Sequence, residues 1–129
     1  MPTPPSADWR DAPLTPGGWT LGQTSGGLVA DFANLFTMRC THAEAGIVLT
    51  LHGAAGSASG SLRFTTDTRE QLLVARRTPE GLSATVPARE PLLDAIAFSR
   101  GRFRLQSSDG RTLVMPSWTE ISRVIEDCR

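Results

Sequence analysis

Between Leu35 and His52 the chain reads LFTMRC, THAEA, GIVLTLH, and this stretch restricts the fold more than any other. Side chains on a β-strand alternate between its two faces, so Phe36, Met38 and Cys40 share one face. Ile47, Leu49 and Leu51 share one face of the second run by the same rule. With residues 42–45 as the connection, an antiparallel hairpin sets Cys40 opposite Ile47, Met38 opposite Leu49 and Phe36 opposite Leu51. A slip of one residue would send half of these apolar groups to water, so the pattern specifies its own register. Cys40 is therefore expected to face the core.

The same period of two runs through much of the chain. Trp19 and Leu21 alternate with polar neighbours, as do Leu28, Ala30 and Phe32, and later Leu62 and Phe64. QLLVARR and GLSATV flank TPEG, residues 78–81, a turn signature between two strands. Phe103 and Leu105 oppose Arg102 and Arg104, and SSDG then turns the chain into RTLVM. The small-residue run GAAGSASG, residues 53–60, reads as a flexible loop. Residues 1–16 hold five prolines, which fix φ and remove donors, so this segment is expected to be a flexible tail ahead of one domain over 17–129. Trp9 is its one aromatic residue and a candidate to dock. The opening also looks like the spacer that follows a signal sequence or lipid anchor, which predicts a longer precursor.

Two segments change period. In REPLLDAIAFSRG, Leu92, Leu93, Ile96 and Ala97 fall at helical spacing behind Pro91, which predicts a short helix over about 90–98. In SWTEISRVIEDC, Ser117 and Glu120 have the spacing of a capping box. Ile121, Val124, Ile125 and Cys128 then recur at i, i+3, i+4 and i+7 and share one face. A helix this short needs tertiary packing to form. The expected fold is mainly β: an antiparallel sandwich or twisted sheet of about eight strands with two short helices, the C-terminal one packed on the sheet.

Both cysteines thus point inward, and a Cys40–Cys128 disulfide is the favoured reading. Two free buried thiols in a reducing compartment are the alternative. A redox pair would favour C-x-x-C spacing. For a metal, Cys40 and His42 supply two donors where zinc takes four, or three and a water. His52 falls on the opposite face of its strand, so no metal site is expected. A disulfide implies an oxidising compartment, here a periplasm or cell envelope.

Thirteen basic and thirteen acidic residues leave no net charge, so no global field draws in nucleic acid, and none is expected as partner. All the basic residues are arginine, which suits paired guanidinium contacts or reflects a composition bias. No run approaches the roughly 18 apolar residues of a membrane-spanning helix. No nucleophile elbow, zinc-protease motif or phosphate loop is present, so neither catalytic residue nor cofactor is assigned. Asp67, Glu70 and Asp94 are carboxylates at a turn or on a polar face. Arg100, Arg102 and Arg104 alternate and would line one strand face, able to take phosphate or carboxylate, to face water, or to guard a sheet edge. With Trp118 they are the candidate ligand-binding residues.

The second half, PLLDAIAFSRGRFRLQ, RTLVMPSW and EISRVIEDC, with the upstream MRC, resembles an uncharacterised family of exported proteins of α-proteobacteria, sphingomonads in particular. More distantly it looks like the periplasmic invasion-associated locus B and VasI types of β domain. The resemblance implies a β-sandwich-like domain with a bridging cysteine pair and an envelope location. The leading functional expectation is a non-catalytic envelope module for a protein partner or a small anionic ligand. The other is a small envelope enzyme that uses the arginine row and a carboxylate on an anionic substrate.

Overall fold

A computed structural model describes residues 9–53 and 59–129. Nine strands form one antiparallel sheet: β1 (Trp19–Thr24), β2 (Gly27–Phe32), β3 (Phe36–Thr41), β4 (Gly46–His52), β5 (Ser59–Thr65), β6 (Glu70–Thr78), β7 (Gly81–Pro87), β8 (Arg102–Ser107) and β9 (Thr112–Pro116). Helix α1 (Pro91–Ala97) joins β7 to β8, and α2 (Thr119–Cys128) ends the chain. The fold is the mainly β one expected, realised as one sheet rather than two.

The sheet runs β1-β2-β3-β4-β7-β6-β5-β8-β9. The β3–β4 hairpin has the expected register, with Cys40 opposite Ile47, Met38 opposite Leu49 and Phe36 opposite Leu51. A tight 3-10 turn, His42–Glu44, closes it, with Ala45 in the left-handed region. The β5–β6–β7 meander folds back so that β7 lies beside β4. There Gly81 has φ of 152°, and a Cβ at that position would run into the carbonyl oxygen of Leu51. The β8–β9 hairpin extends the sheet beyond β5.

The sheet curls until its two ends meet. Trp19 on β1 donates its indole N–H to the carbonyl of Pro116 on β9, at 2.7 Å. Its ring stacks on Phe103 at 6.5 Å and tilts against Phe32 at 5.3 Å. The inner face carries Phe32, Phe36, Met38, Leu49, Leu62, Phe64, Phe103 and Leu105, all fully buried. Burial of such apolar surface, at roughly 25 cal/mol per Å², is the main favourable term in folding.

Helix α2 packs on β2 and β3. Its Ile121, Val124, Ile125 and Cys128 are all buried, as the spacing predicts. The capping box does not form. Trp118 occupies the N-cap, with no side-chain bond to the helix, because the Ser117 hydroxyl donates instead to the Ile96 carbonyl at 2.9 Å. Ser117 thereby ties the start of α2 to the end of α1.

Residues 9–16, the described part of the proline-rich segment, lie against the domain. Trp9 is buried in a short 3-10 turn, Trp9–Asp11. Thr15 donates its N–H to the Val114 carbonyl at 2.8 Å and accepts the Val114 N–H on its hydroxyl at 2.9 Å. This covers part of the outer edge of β9, which would otherwise offer unpaired backbone groups. Most of the small-residue loop, residues 54–58, lies outside the described residues.

Candidate functional site

Cys40 and Cys128 are joined by a disulfide, with Cα atoms 5.5 Å apart across 88 positions of sequence. That separation is ordinary for a disulfide. The strand sets one cysteine on the inner face, and the helix stripe sets the other above it. Reading sequence alone missed what stands beside the bridge. The last turn of α2 also delivers Asp127, whose Oδ2 lies 3.2 Å from His42 Nε2 and accepts the Leu28 N–H at 3.0 Å. Cys40 Sγ, a His42 ring nitrogen and an Asp127 carboxylate oxygen lie within 4.8 Å of one another. The signal was present: Asp127 neighbours one cysteine and His42 lies two positions from the other.

The three arginines of the expected row have separate roles. Strand β8 begins at Arg102, so Arg100 lies before it, in the bend that follows α1. Arg102 donates from Nη1 to the carbonyl of Ala12 and straps the N-terminal segment to the sheet. Arg104 lies against Thr65, its Nη2 3.4 Å from the hydroxyl, and its buried Nε has no partner among the described residues. Arg100 lines a hollow of about 470 Å³ with Arg10, Asp67, Thr68 and Phe98. Trp118 is half-exposed, its ring over the backbone of Gly18.

The candidate carboxylates are engaged elsewhere. Asp67 accepts Arg10 Nε at 3.3 Å on one oxygen and the Arg100 backbone N–H on the other. Glu70 pairs with Arg63 at 2.7 Å and Asp94 with Arg129 at 3.0 Å. Glu70, Asp94 and the arginine row therefore do not gather around one cavity. His52 Nε2 lies 3.1 Å from the Thr37 hydroxyl on the outer face.

A second cationic surface lies on the outer face of the sheet. A groove of about 500 Å³ crosses β3, β4, β7 and β6. Arg39 stands at one side and Arg76 at the other, with Val48, Val74, Ser83 and Thr85 between them. The pairing explains the cluster: Arg39 is opposite Val48, Val48 opposite Thr85, and Arg76 opposite Ser83. Among the described residues neither guanidinium has a hydrogen-bond or ion-pair partner. Val74 is 80% exposed, and Leu72 on the same strand face is half-exposed. The groove thus combines two cations, the hydroxyls of Thr78, Ser83 and Thr85, an apolar strip and one carboxylate, Glu80. Arg39 and Arg76 were not singled out from sequence, because nothing local distinguishes them from the other arginines.

These features define a disulfide-clasped, curled antiparallel β domain with a docked C-terminal helix. No protein-family model, curated protein or solved structure matches the chain, so its class rests on its own geometry. Among the described residues no helix is long and apolar enough to cross a membrane.

Proposed function

We propose that this chain is a non-catalytic binding module of the bacterial cell envelope, and that its outer sheet face takes a small amphiphilic anion. The observation that carries the reading is the pair Arg39 and Arg76, both without a partner among the described residues, on either side of a groove lined by Val48, Val74, Ser83 and Thr85. Guanidinium groups bind phosphate and carboxylate through parallel, charge-assisted hydrogen bonds. Hydroxyls at the groove floor add donors, and the apolar strip favours a ligand with a short hydrocarbon part. The disulfide supports an oxidising compartment, and the resemblance to exported α-proteobacterial proteins supports a periplasmic location.

Calorimetric titration with hexyl phosphate, inorganic phosphate and hexanol tests the ligand class. Hexyl phosphate should bind best, with an affinity that falls as salt rises. The R39Q/R76Q double variant should lose binding while keeping its unfolding midpoint. Equal binding by the double variant, or no binding by the native chain, overturns the groove as the site. Rapid alkylation of intact cells tests the compartment: cysteines that label freely without a reductant would place the chain in a reducing one.

A further inference from the structure

The disulfide, His42 and Asp127 make a cluster that the anion-binding reading does not use. We infer that reduction of Cys40–Cys128 converts this cluster into a zinc site, with Cys40, His42 and Asp127 as preset ligands and Cys128 as the fourth.

The donor set suits the ion. Zinc binds thiolate, imidazole and carboxylate in a four-coordinate tetrahedron. With Zn–N and Zn–O near 2.1 Å, a tetrahedral pair of N and O ligands sits about 3.4 Å apart. His42 Nε2 and Asp127 Oδ2 are already 3.2 Å apart. The Cys40 sulfur belongs to the same 4.8 Å cluster. Two thiolates at about 2.3 Å from zinc lie roughly 3.7 Å from each other, so the opened bridge needs only a modest separation. Cys128 Sγ lies 3.1 Å from the Gly46 carbonyl, and rotation about its side chain would turn the freed sulfur toward the cluster.

The surroundings are built for a ligand set. Gly27, on the neighbouring strand, leaves the space open: a Cβ there would stand 3.0 Å from Cys40 Sγ and 3.1 Å from His42 Cδ2. The Leu28 N–H holds Asp127 Oδ2 at 3.0 Å, the kind of outer hydrogen bond that orients a ligating carboxylate. His42 is exposed, which gives the ion a path from solvent.

The bridge is the gate. A disulfide offers neither of the thiolates a metal needs. A small dithiol reduces it: the S–S bond breaks, each protein sulfur gains a hydrogen, and the dithiol closes to its own disulfide. Zinc then displaces the two thiol protons to solvent. In the oxidised state covalent linkage clasps α2 to β3; in the reduced state the metal would do so.

The test titrates the full chain with cobalt(II) and then zinc(II), oxidised and reduced, under anaerobic conditions, with circular dichroism recorded alongside. The reduced chain should bind one cobalt with a thiolate charge-transfer band, which zinc abolishes, and the oxidised chain should show none. H42A and D127N, reduced, should bind about tenfold more weakly or worse. C128S, which keeps Cys40, His42 and Asp127 but cannot form the bridge, should bind without any reductant, and C40S, which loses the sulfur already in the cluster, should bind more weakly than C128S. If reduction unfolds the metal-free chain, zinc should restore the native dichroism. A reduced chain that takes up no cobalt, or one whose affinity is unchanged in H42A and D127N, overturns the inference.

Discussion

Trp19 and Pro116 lie 97 positions apart in sequence and at opposite ends of the sheet, yet the indole N–H of one meets the carbonyl of the other at 2.7 Å. The contact joins β1 to β9 and makes one curled sheet enclose its own core. Trp19→Phe keeps an aromatic ring but leaves the buried carbonyl without a donor. The expected cost is about 2 kcal/mol or more, from the unpaired acceptor and the lost volume. Urea unfolding should show a lower midpoint with an unchanged slope.

The disulfide closes a loop spanning 88 positions of sequence, so on the chain-entropy account it stabilises the fold by about 4–5 kcal/mol. A domain of this size is stable by only about 5–15 kcal/mol in all. Reduction in a metal-free buffer should therefore lower the melting temperature sharply. Before global unfolding, amide exchange should accelerate first over Thr119–Cys128, since α2 loses its covalent tie at the chain end. Exchange that rises uniformly across the sheet would contradict a clasp confined to α2.

The register of Cys40 and Ile47 was legible because alternation with one buried face leaves a single pairing that hides every apolar group. The seat of Cys128 was legible because helical spacing puts it on the stripe of Ile121 and Ile125. Other features depend on contacts that no local pattern encodes. That β7 pairs with β4 is set by Ile47, Leu49 and Leu51 meeting Val86, Ala84 and Leu82, one of several apolar pairings the sequence allows. The arginine row shows the same limit. Alternation gave Arg102 and Arg104 a common face but could not reveal the Ala12 carbonyl or Thr65 that meet them. Ser117 had the right spacing for a cap and spends its hydroxyl on α1 instead.

Arg102 should matter to the N-terminal segment rather than to ligand binding. In Arg102→Ala the bond to Ala12 is gone, and the Thr15–Val114 pair, the Arg10–Asp67 ion pair and the buried Trp9 are left to hold residues 9–16. Amide exchange at Thr15 and Val114 should rise by about tenfold, with the β3–β4 hairpin unaffected. Binding of hexyl phosphate at the Arg39–Arg76 groove should be unchanged.

Gly81 begins β7 with φ of 152°, where β7 pairs with β4. Alanine there faces two penalties: a backbone region that side chains disfavour and a collision with the Leu51 carbonyl. Gly81→Ala should cost about 3 kcal/mol or more. Gly110, with φ of 93° but open space around it, is the control. Gly110→Ala meets only the backbone penalty and should cost about 1 kcal/mol. Equal losses in the two variants would assign the effect to backbone preference alone.

The β8–β9 turn gives the chain a defined acid response. Arg111 forms a fork on Asp109, with Nη2 at 2.9 Å and Nε at 3.2 Å from its oxygens. The side-chain hydrogen bonds of Arg111 hold the Asp109 pKa below its ordinary value of 3.8, partly opposed by burial and helped by the Ser107 hydroxyl. Folding therefore favours the carboxylate form. Its contribution is complete above the unfolded value, near 4, and is lost as pH falls through the lower folded value. The pair sits on a surface turn, its side chains still partly open to water, so the contribution is at most about 1 kcal/mol. Asp109→Asn should remove it: the native and variant chains should differ in unfolding midpoint at pH 6 and converge below pH of about 3. A difference that persisted at low pH would mean that Asp109 acts through packing rather than charge.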